Sequence, residues 1–282
     1  MSIQSYEEMI DEIFSKYDEA KNDDEKPIVT IMVGNIGQGK STLVRKLINM
    51  NPNTVVINKD SLLESICGCY GRYDSNKIRF YDKAERVVME SALESKYNVI
   101  VDRLNINKEQ RSDFVKIAQK YGAKLVAFDF GAGSEEGLER RKKKNRGVPE
   151  KTWEEVFKVT KENYEAPTKE EGFNEILKPP SKWKFYAVDF DGTLVTNKFP
   201  EVGSLKKDTV EKIHKLYKDI NNIIILWTCR SGDYLNQATT FLAQNNIPID
   251  LVNENPLCGF DCSNKVFAHE YIDDLVTNVK DI

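Results

Sequence analysis

The amino-acid sequence predicts an α/β protein of two domains, each with a parallel sheet flanked by helices. Short apolar runs rich in β-branched residues alternate with segments of helical periodicity, which is typical of strand–helix–strand units. Residues 177–183 interrupt this alternation with two adjacent prolines, which fit neither a helix interior nor a central strand. The alternation then begins again, and a chain of 282 residues is long enough for two such domains.

The first predicted domain covers residues 27–176 and opens with a buried strand, PIVTIMVG, at residues 27–34. Further apolar runs predict strands at residues 54–57, 98–101 and 124–128. Helical periodicity predicts helices at residues 41–49, 82–94, 108–121 and 134–163. We therefore expect a parallel sheet with helices packed against it.

The second predicted domain covers residues 184–282 and follows a linker at residues 177–183. Its strands are expected at residues 185–190, 222–227, 250–253 and 270–272, and its helices at residues 207–218 and 232–245. Ahead of both domains, residues 1–26 place apolar side chains at helical spacing, which predicts an amphipathic helix.

The composition excludes several classes of protein. With 40% hydrophobic and 30% charged residues, the chain is typical of folded proteins, and no segment is apolar enough over the length of a membrane span. Five cysteines without a secretory signal indicate a reducing cytoplasm. Cys258, Cys262 and His269 match no established zinc-ligand spacing, so we interpret the cysteines as reduced thiols. The net charge of −4 argues against a protein that coats itself with nucleic acid.

Residues 34–41, GNIGQGKS, match the phosphate-binding pattern G-x-x-x-x-G-K-[ST] between a strand and a helix. The glycines allow backbone N–H groups to surround phosphate oxygens at the helix N-terminus. Lys40 is expected to reach the β- and γ-phosphates of ATP, and the Ser41 hydroxyl to hold Mg²⁺. The predicted ATP-binding residues are Gly34, Gly37, Gly39, Lys40, Ser41 and Thr42.

Transfer of the phosphate to an alcohol requires a base near the triphosphate. Asp60, which we expect at the end of the second strand, is the candidate base, and the alternative for it is a helix N-cap. Asp102 is expected at the end of the third strand, where it can orient metal, water or acceptor. We predict that Asp102 and Asn105 bind the acceptor, and Arg111 follows close behind them.

Six cations occur within residues 140–146, RRKKKNR. Such a run is often a solvated helix face, but its place after the fourth strand is that of the arginine-bearing lid of small P-loop kinases. We predict that the lid residues Arg141 and Arg146 neutralise the transferring phosphoryl group. Lys142 to Lys144 are expected to be solvated or to contact acceptor phosphates.

These motifs resemble the kinase domain of the bacteriophage-type polynucleotide 5′-kinase/3′-phosphatase family. The matching elements are GNIGQGKST, INKD ending at Asp60, the segment at residues 102–107, and the Arg-rich lid leading to Val148-Pro149. The resemblance implies that Asp60 is the general base for a 5′-hydroxyl group. The chain departs from the family at Leu63, where the family carries an arginine, and its lid spacing is shifted by about one residue. The acceptor is therefore less well defined than the donor.

Asp189 and Asp191 lie in the segment VDFDGT at the end of an apolar strand of the second predicted domain. Two carboxylates one residue apart, followed by a glycine, suit phosphoryl transfer to a nucleophilic aspartate. Asp189 is expected to attack phosphorus, and Asp191 to protonate the leaving oxygen and then activate water. The adjacent negative charges predict Mg²⁺ between them and the phosphate.

Further elements follow in the order found in the haloacid dehalogenase (HAD) superfamily, which this half resembles. The resemblance implies that the phosphate is bound by Thr228, Arg230 and Lys265. It implies a Mg²⁺ site formed by Asp189, Asp191, Asp273 and Asp274. The stretches between these motifs are too short for a large cap domain, which favours a site open to a large substrate such as a nucleic-acid end.

The leading interpretation is nucleic-acid end repair. The first half phosphorylates a 5′-hydroxyl with ATP and the second removes a 3′-phosphate, on RNA or DNA ends that a partner ligase then joins. One alternative is a kinase joined to a phosphatase for a nucleoside, sugar or modified base, which Leu63 and the acidic net charge favour. A nucleotide-sensing module with one degenerate half is a third class, against which the complete motifs in both halves argue.

Overall fold

The structure, a computed structural model, describes residues 26–68, 75–143, 149–180, 183–254 and 268–274. The helix predicted for residues 1–26 lies outside these ranges except for its last residue. The described residues fall into two compact units, of which the first ends at Pro179 and the second begins at Pro180. None of the helices within the described ranges has both the length and the apolar character that crossing a lipid bilayer requires.

The first unit is an α/β fold around a five-stranded sheet. Its strands are β1 (Ile28–Val33), β2 (Thr54–Ile57), β3 (Asn98–Val101), β4 (Lys124–Asp129) and β5 (Glu175–Leu177). Its helices are α1 (Lys40–Met50), α2 (Lys59–Cys67), α3 (Ile78–Glu94), α4 (Lys108–Lys120), α5 (Glu135–Lys143) and α6 (Glu150–Glu162). Short 3-10 turns cover Ser75–Lys77 and Lys169–Glu171.

The strands of this sheet lie in the order β2-β3-β1-β4-β5, and every pair is parallel. Val29 of β1 pairs with Val99 on one side and Leu125 on the other, which fixes the register at the centre of the sheet. The connections run to opposite sides of β1, and such a switch point opens a crevice at the carboxyl ends of the strands. That edge positions the residues that the sequence predicts for phosphate chemistry.

Helices α3 and α4 close the core on the sheet with side chains one turn apart. Met89 and Leu93 of α3, and Phe114 and Ala118 of α4, join the strand residues in a single buried cluster. Spacing of four residues places each pair on one face of its helix, which is why the apolar periodicity predicted both helices. The predicted parallel α/β class is confirmed for this unit.

Strand β5 was not expected from the sequence. The predicted linker begins at Leu177, but Leu177 ends β5, pairs with Phe128 and is buried. A hydrogen bond explains why the chain forms a strand here. The Asn174 side-chain oxygen accepts from the Leu125 backbone N–H at 2.7 Å, which brings the chain onto the edge of β4. A three-residue strand carries too little pattern to be recognised. The other domain boundaries remain predictions.

The second unit has a four-stranded parallel sheet in the order β8-β7-β6-β9. The strands are β6 (Lys184–Val188), β7 (Asn222–Leu226), β8 (Leu251–Val252) and β9 (Glu270–Ile272). The helices within the described ranges are α7 (Lys207–Tyr217) and α8 (Gly232–Gln244). Five consecutive buried residues in β7 show why its sequence is an uninterrupted apolar run. The central strands β6 and β7 end beside the residues predicted for the phosphatase site.

Candidate functional site

The phosphate loop of the first unit joins β1 to α1, as the sequence predicted. Gly34 follows the last residue of β1, and Gly39 is the left-handed N-cap of α1 with φ 91°. Lys40, Ser41 and Thr42 are the first residues of the helix. Backbone N–H groups at a helix N-terminus and the helix dipole both favour an anion at this place.

Lys40 is buried in the loop and holds its ammonium group against loop carbonyls. Its Nζ donates hydrogen bonds to the carbonyl oxygens of Gly34, at 2.9 Å, and Asn35, at 2.6 Å. The pKa of Lys40 is lowered to about 8, chiefly by burial; the charge of Asp102 opposes this shift and the charge of Arg141 adds to it. A phosphate group replaces lost solvation with a full opposite charge, so the buried ammonium favours binding of an anion.

Ser41, Asp102 and Asn58 form a connected polar cluster beside the loop. The Ser41 hydroxyl donates to Asp102 Oδ2 at 3.3 Å, and the Asn58 side-chain amide donates to the same oxygen at 3.0 Å. Burial raises the pKa of Asp102, while these hydrogen bonds and Lys40 oppose the change. A hydroxyl and a carboxylate are hard oxygen donors, so Ser41 and Asp102 fit a Mg²⁺ ion next to the phosphates.

The sequence suggested that Asp60 ends the second strand, but in the structure Asp60 lies in the first turn of α2. The strand β2 ends at Ile57, and the N-cap of α2 is Asn58, whose side-chain oxygen accepts from the Ser61 backbone N–H at 3.0 Å. The alternative interpretation of Asp60 as the helix cap is therefore wrong, because Asn58 has that position. Asp60 instead lines the same cavity as Lys40.

The cavity at this edge of the sheet has a volume of about 800 Å³. Its walls include predicted residues from four elements: Lys40, Ser41, Asp60, Asp102 and Arg141. That volume is within the range of small-molecule sites, which suits a nucleotide. The structure therefore brings together the predicted donor residues and the candidate base.

Besides Arg45, two cations that the sequence analysis did not single out line the cavity, namely Lys59 and Arg103. The Lys59 ammonium lies 2.9 Å from Asp82, and Arg103 Nη1 lies 2.9 Å from Glu85, which is fully buried. Burial raises the pKa of Glu85. Lys59 is next to Asp60 in the sequence, and Arg103 is next to Asp102. This adjacency to the predicted carboxylates could have indicated that both cations line the cavity.

Asn105 lines the cavity and is almost completely buried. Its side-chain amide nitrogen donates to the backbone carbonyls of Met32, at 2.8 Å, and Val101, at 3.4 Å, and so connects β1 and β3. The residue has φ 47°, which asparagine tolerates. Its role in binding the acceptor stays a prediction, and its side-chain oxygen, which has no hydrogen-bond partner among the described residues, is the atom left for that role.

The predicted lid corresponds to α5 and α6 in the structure. Of its two predicted arginines, Arg141 lies within the described residues. The Arg141 guanidinium carbon lies 4.0 Å from the centre of the Trp153 ring, a cation–π contact that holds the side chain near the cavity. Arg146 and Lys144 lie outside the described residues. Lys142 pairs with Glu139 and Glu154, both at 3.0 Å, so it joins α5 to α6 and does not extend freely into solvent as expected.

In the second unit, three carboxylates meet at the ends of β6 and β9. Ligand oxygens of Asp189, Asp273 and Asp274 all lie within 4.8 Å of one another. Burial raises the pKa of Asp189 to about 6, and the negative charges of Asp273 and Asp274 act in the same direction. Mutual repulsion of this kind is relieved by a cation, and three carboxylate oxygens fit Mg²⁺.

Asp191 was predicted as a metal ligand and Arg230 as a phosphate ligand, but their side chains pair with each other. Arg230 Nε donates to Asp191 Oδ2 and Nη2 to Asp191 Oδ1, both at 2.7 Å. Arg230 also donates to the carbonyl oxygens of Pro200, at 3.0 Å, and Glu201, at 2.8 Å. These bonds use four of the five N–H donors of Arg230 and both carboxylate oxygens of Asp191. Asp191 is not among the three carboxylates that meet in the acidic cluster, so the structure brings together three of the four predicted metal ligands. Phosphate binding by Arg230 stays a prediction.

Thr228 is the second residue after β7, and Asn253, which the sequence analysis did not name, holds its backbone in place. Asn253 Oδ1 accepts from the Thr228 N–H at 2.9 Å, and Asn253 Nδ2 donates to the Thr228 carbonyl at 3.0 Å. The Thr228 hydroxyl accepts from the Arg230 N–H at 3.2 Å and keeps its own proton available for a phosphate. Lys265 lies outside the described residues.

Gly192 explains why a glycine follows the two aspartates. Its φ is 90°, and a β-carbon at this position would overlap the carboxylate of Asp274. The absent side chain lets Asp274 approach the loop, where its N–H donates to the Thr193 hydroxyl at 2.9 Å. The Gly192 carbonyl accepts from Lys206 Nζ at 2.5 Å. The turn therefore positions part of the acidic cluster.

The family match lies in the first unit, and three similar solved structures cover 55% to 83% of the chain. Residues 29–167 match the model of a family described as an AAA domain. A chain of the solved Pnkp1/Rnl/Hen1 RNA repair complex is 24% identical, with a TM-score of 0.42 over 83% of this chain and 81% of that chain. A fungal RNA kinase is 18% identical, with a TM-score of 0.38 over 77% and 97%. A gluconokinase from Sinorhizobium meliloti 1021 is 18% identical, with a TM-score of 0.35 over 55% and 83%. The first unit is thus similar in sequence to a P-loop family, in agreement with its kinase-like α/β fold.

Proposed function

We propose that this chain heals nucleic-acid ends: its first unit phosphorylates a 5′-hydroxyl with ATP, and its second removes a 3′-phosphate. One observation carries the proposal. Each unit has a set of phosphate-handling residues at the carboxyl edge of its own parallel sheet, Lys40, Ser41 and Asp102 in one and Asp189, Asp273 and Asp274 in the other. Two complete and separate sets support two reactions on phosphate.

For the kinase, Lys40 would neutralise the β- and γ-phosphates of ATP, while Asp60 would accept the proton of the attacking hydroxyl. Arg141, and Arg146 by its place in the sequence, would stabilise the charge on the transferring phosphoryl group. Ser41 and Asp102 would hold Mg²⁺, which supplies electrostatic stabilisation of the phosphates. The shared cavity of Lys40, Asp60 and Arg141 supports this division of roles.

For the phosphatase, the carboxylate of Asp189 would attack phosphorus as the bond to the 3′-oxygen breaks. Asp191 would donate its proton to that oxygen and then remove a proton from the water that hydrolyses the aspartyl-phosphate. Arg230 would hold Asp191 in place, Thr228 and Lys265 would bind the phosphate, and Asp189, Asp273 and Asp274 would hold Mg²⁺. The ion would supply charge neutralisation to the phosphate.

We assign the second unit to a HAD-like phosphatase domain without a large cap, with boundaries at residues 184–282. The region from Thr193 to Thr228 contains α7 and β7, with a loop before each of them. This leaves the Asp189 edge accessible from that side, which supports a large substrate such as an RNA or DNA end. Removal of a 3′-phosphate and addition of a 5′-phosphate give the ends that a ligase joins, so a ligase is the expected functional partner.

A second candidate function is phosphorylation of a small molecule such as a nucleoside or sugar. The observation that favours it is Leu63 of α2. This side chain is apolar and buried, whereas the polynucleotide kinase family carries an arginine here, so Leu63 offers no cation to an acceptor phosphate. Lys59 and Arg103 offer cations elsewhere in the cavity, and they weaken this alternative.

A comparison of acceptors tests the proposal. The intact protein is incubated with γ-labelled ATP and Mg²⁺, and with matched 5′-hydroxyl RNA and DNA oligonucleotides, free nucleosides or sugars. We expect label on an oligonucleotide, and loss of that label in Lys40→Ala and Asp60→Ala. Glu109→Ala provides a control, because Glu109 is an exposed acid in the first turn of α4 and is not among the residues that line the cavity. Label only on nucleosides or sugars would establish the small-molecule alternative.

A further inference from the structure

Two exposed aromatic side chains lie against each other in the second unit. Phe199 is 57% exposed and Tyr234 is 44% exposed, and their ring centres are 5.4 Å apart at an interplanar angle of 60°. Phe199 belongs to the loop after β6, and Tyr234 to the first turn of α8. We call these two residues the aromatic pair. An edge-to-face arrangement of two exposed rings leaves apolar ring surface open to a ligand.

The aromatic pair is attached to the proposed catalytic residues through Arg230. The Arg230 guanidinium carbon lies 5.2 Å from the centre of the Phe199 ring. The same guanidinium binds both oxygens of Asp191 and the carbonyl of Pro200, the residue after Phe199. The Arg230 side chain is therefore the one group between the Phe199 ring and the carboxylate that is proposed to protonate the leaving oxygen.

We propose that the aromatic pair stacks against the nucleobase of the nucleotide that carries the 3′-phosphate. The inference rests on the phosphatase reaction proposed above and specifies its substrate. The group that Asp191 is proposed to protonate is the substrate's 3′-oxygen, so the part of the substrate that we place at the pair is a group attached to the same sugar. On a nucleotide, the flat aromatic group there is the base, and bases stack on exposed aromatic side chains without regard to sequence.

The position also accounts for the chemical class of the ligand. Glycerol phosphate has no π-face to offer an aromatic ring, whereas a single-stranded end presents an unstacked base. Arg230 is buried, and its cation–π contact holds the Phe199 ring in place beside the site. The aromatic pair is therefore a determinant of specificity and not a catalytic group.

The experiment compares two substrates that differ only in one base. Both are short single-stranded oligonucleotides with a 3′-phosphate, and in one of them the terminal nucleotide is abasic. Phosphate release is measured with wild type, Phe199→Ala, Tyr234→Ala and the milder Phe199→Leu. The matched control is Phe80→Ala, because Phe80 is 55% exposed and contacts Tyr81 edge-to-face in the first unit.

We expect wild type to have a KM about tenfold lower for the substrate with the terminal base, the order of one base–aromatic stacking contact. Phe199→Ala and Tyr234→Ala raise that KM toward the abasic value and leave the abasic substrate unaffected, while Phe80→Ala changes neither. Equal KM values in wild type, or equal losses on both substrates, overturn the stacking proposal. Absence of phosphate release from either substrate by wild type instead contradicts the phosphatase function itself.

Discussion

Gly37 and Gly137 approach each other so closely that a β-carbon on Gly37 would overlap the carbonyl oxygen of Gly137. Gly37 belongs to the phosphate loop, with φ 69°, and Gly137 to the lid helix α5. Backbone therefore meets backbone at the point where the lid contacts the loop. Arg141 follows Gly137 by one helical turn, so the Gly37–Gly137 contact sets how far α5, and with it Arg141, lies from the phosphate loop.

We predict that Gly37→Ala lowers both the free energy of unfolding and the affinity for nucleotide. The left-handed backbone costs about 1–2 kcal/mol for a residue with a side chain, and the overlap adds about 1–3 kcal/mol. Gly131→Ala is the control, because Gly131 has φ 79° but no atom within 4 Å of the added carbon. Urea unfolding and nucleotide titration measure the two effects. Equal losses in the two variants would show that the close approach is unimportant.

Arg230→Lys is expected to lower phosphatase kcat by about a hundredfold with little change in KM. A single ammonium cannot hold both oxygens of Asp191, and displacement of a catalytic group by about 1 Å has this order of effect. Steady-state kinetics on a 3′-phosphorylated oligonucleotide checks the split. Arg86→Lys, at an exposed pair with Asp113, serves as the control. A raised KM with normal kcat would favour direct phosphate binding by Arg230.

We expect Arg103→Gln to raise the KM of the kinase for an acceptor that carries its own phosphate by about tenfold, the value of one charge-assisted hydrogen bond. The KM for ATP and the KM for an acceptor without phosphate should stay unchanged. Acceptor titrations with a nucleoside 3′-monophosphate and the free nucleoside make this comparison, with Arg86→Gln as the control. Equal losses with both acceptors would indicate that Arg103 only stabilises the fold through Glu85.

Asp274→Asn should raise the Mg²⁺ concentration needed for half-maximal phosphatase activity by at least about tenfold, because a neutral amide is a poorer ligand than a carboxylate. The Mg²⁺ dependence of the kinase should not change. Metal titrations of both activities in one preparation test this, and Asp208→Asn in the exposed first turn of α7 is the control. A shift in the kinase titration would argue against separate metal sites.

Local sequence patterns predicted most of the strands and helices because their signals lie within a few neighbouring residues. Buried runs such as those of β1 and β7 are uninterrupted, and the loop at Lys40 has a fixed spacing. Helix α2 and strand β5 were not predicted. The position of β5 depends on hydrogen bonds between Leu125 and Asn174, which are 49 residues apart in the sequence. Information of that kind becomes visible only when the chain is folded.

The candidate sites show the same division at the level of single side chains. Asp60, Asp102, Asp189 and Asp273 could be singled out because each belongs to a short motif beside a predicted strand. The sequence could not reveal that Arg230 pairs with Asp191, since the partners are 39 residues apart. The hydrogen bond from the Asn105 amide to the Met32 carbonyl, 73 residues away, was hidden for the same reason.

The central claim is that two independent phosphate sites act on opposite ends of one nucleic acid. The most direct test uses a single oligonucleotide with a 5′-hydroxyl and a 3′-phosphate, incubated with γ-labelled ATP and Mg²⁺. Wild type should add a labelled 5′-phosphate and release inorganic phosphate from the 3′ end. Lys40→Ala should lose only the first reaction and Asp189→Ala only the second. Loss of both reactions in either variant, or an unmodified oligonucleotide with wild type, would contradict the account.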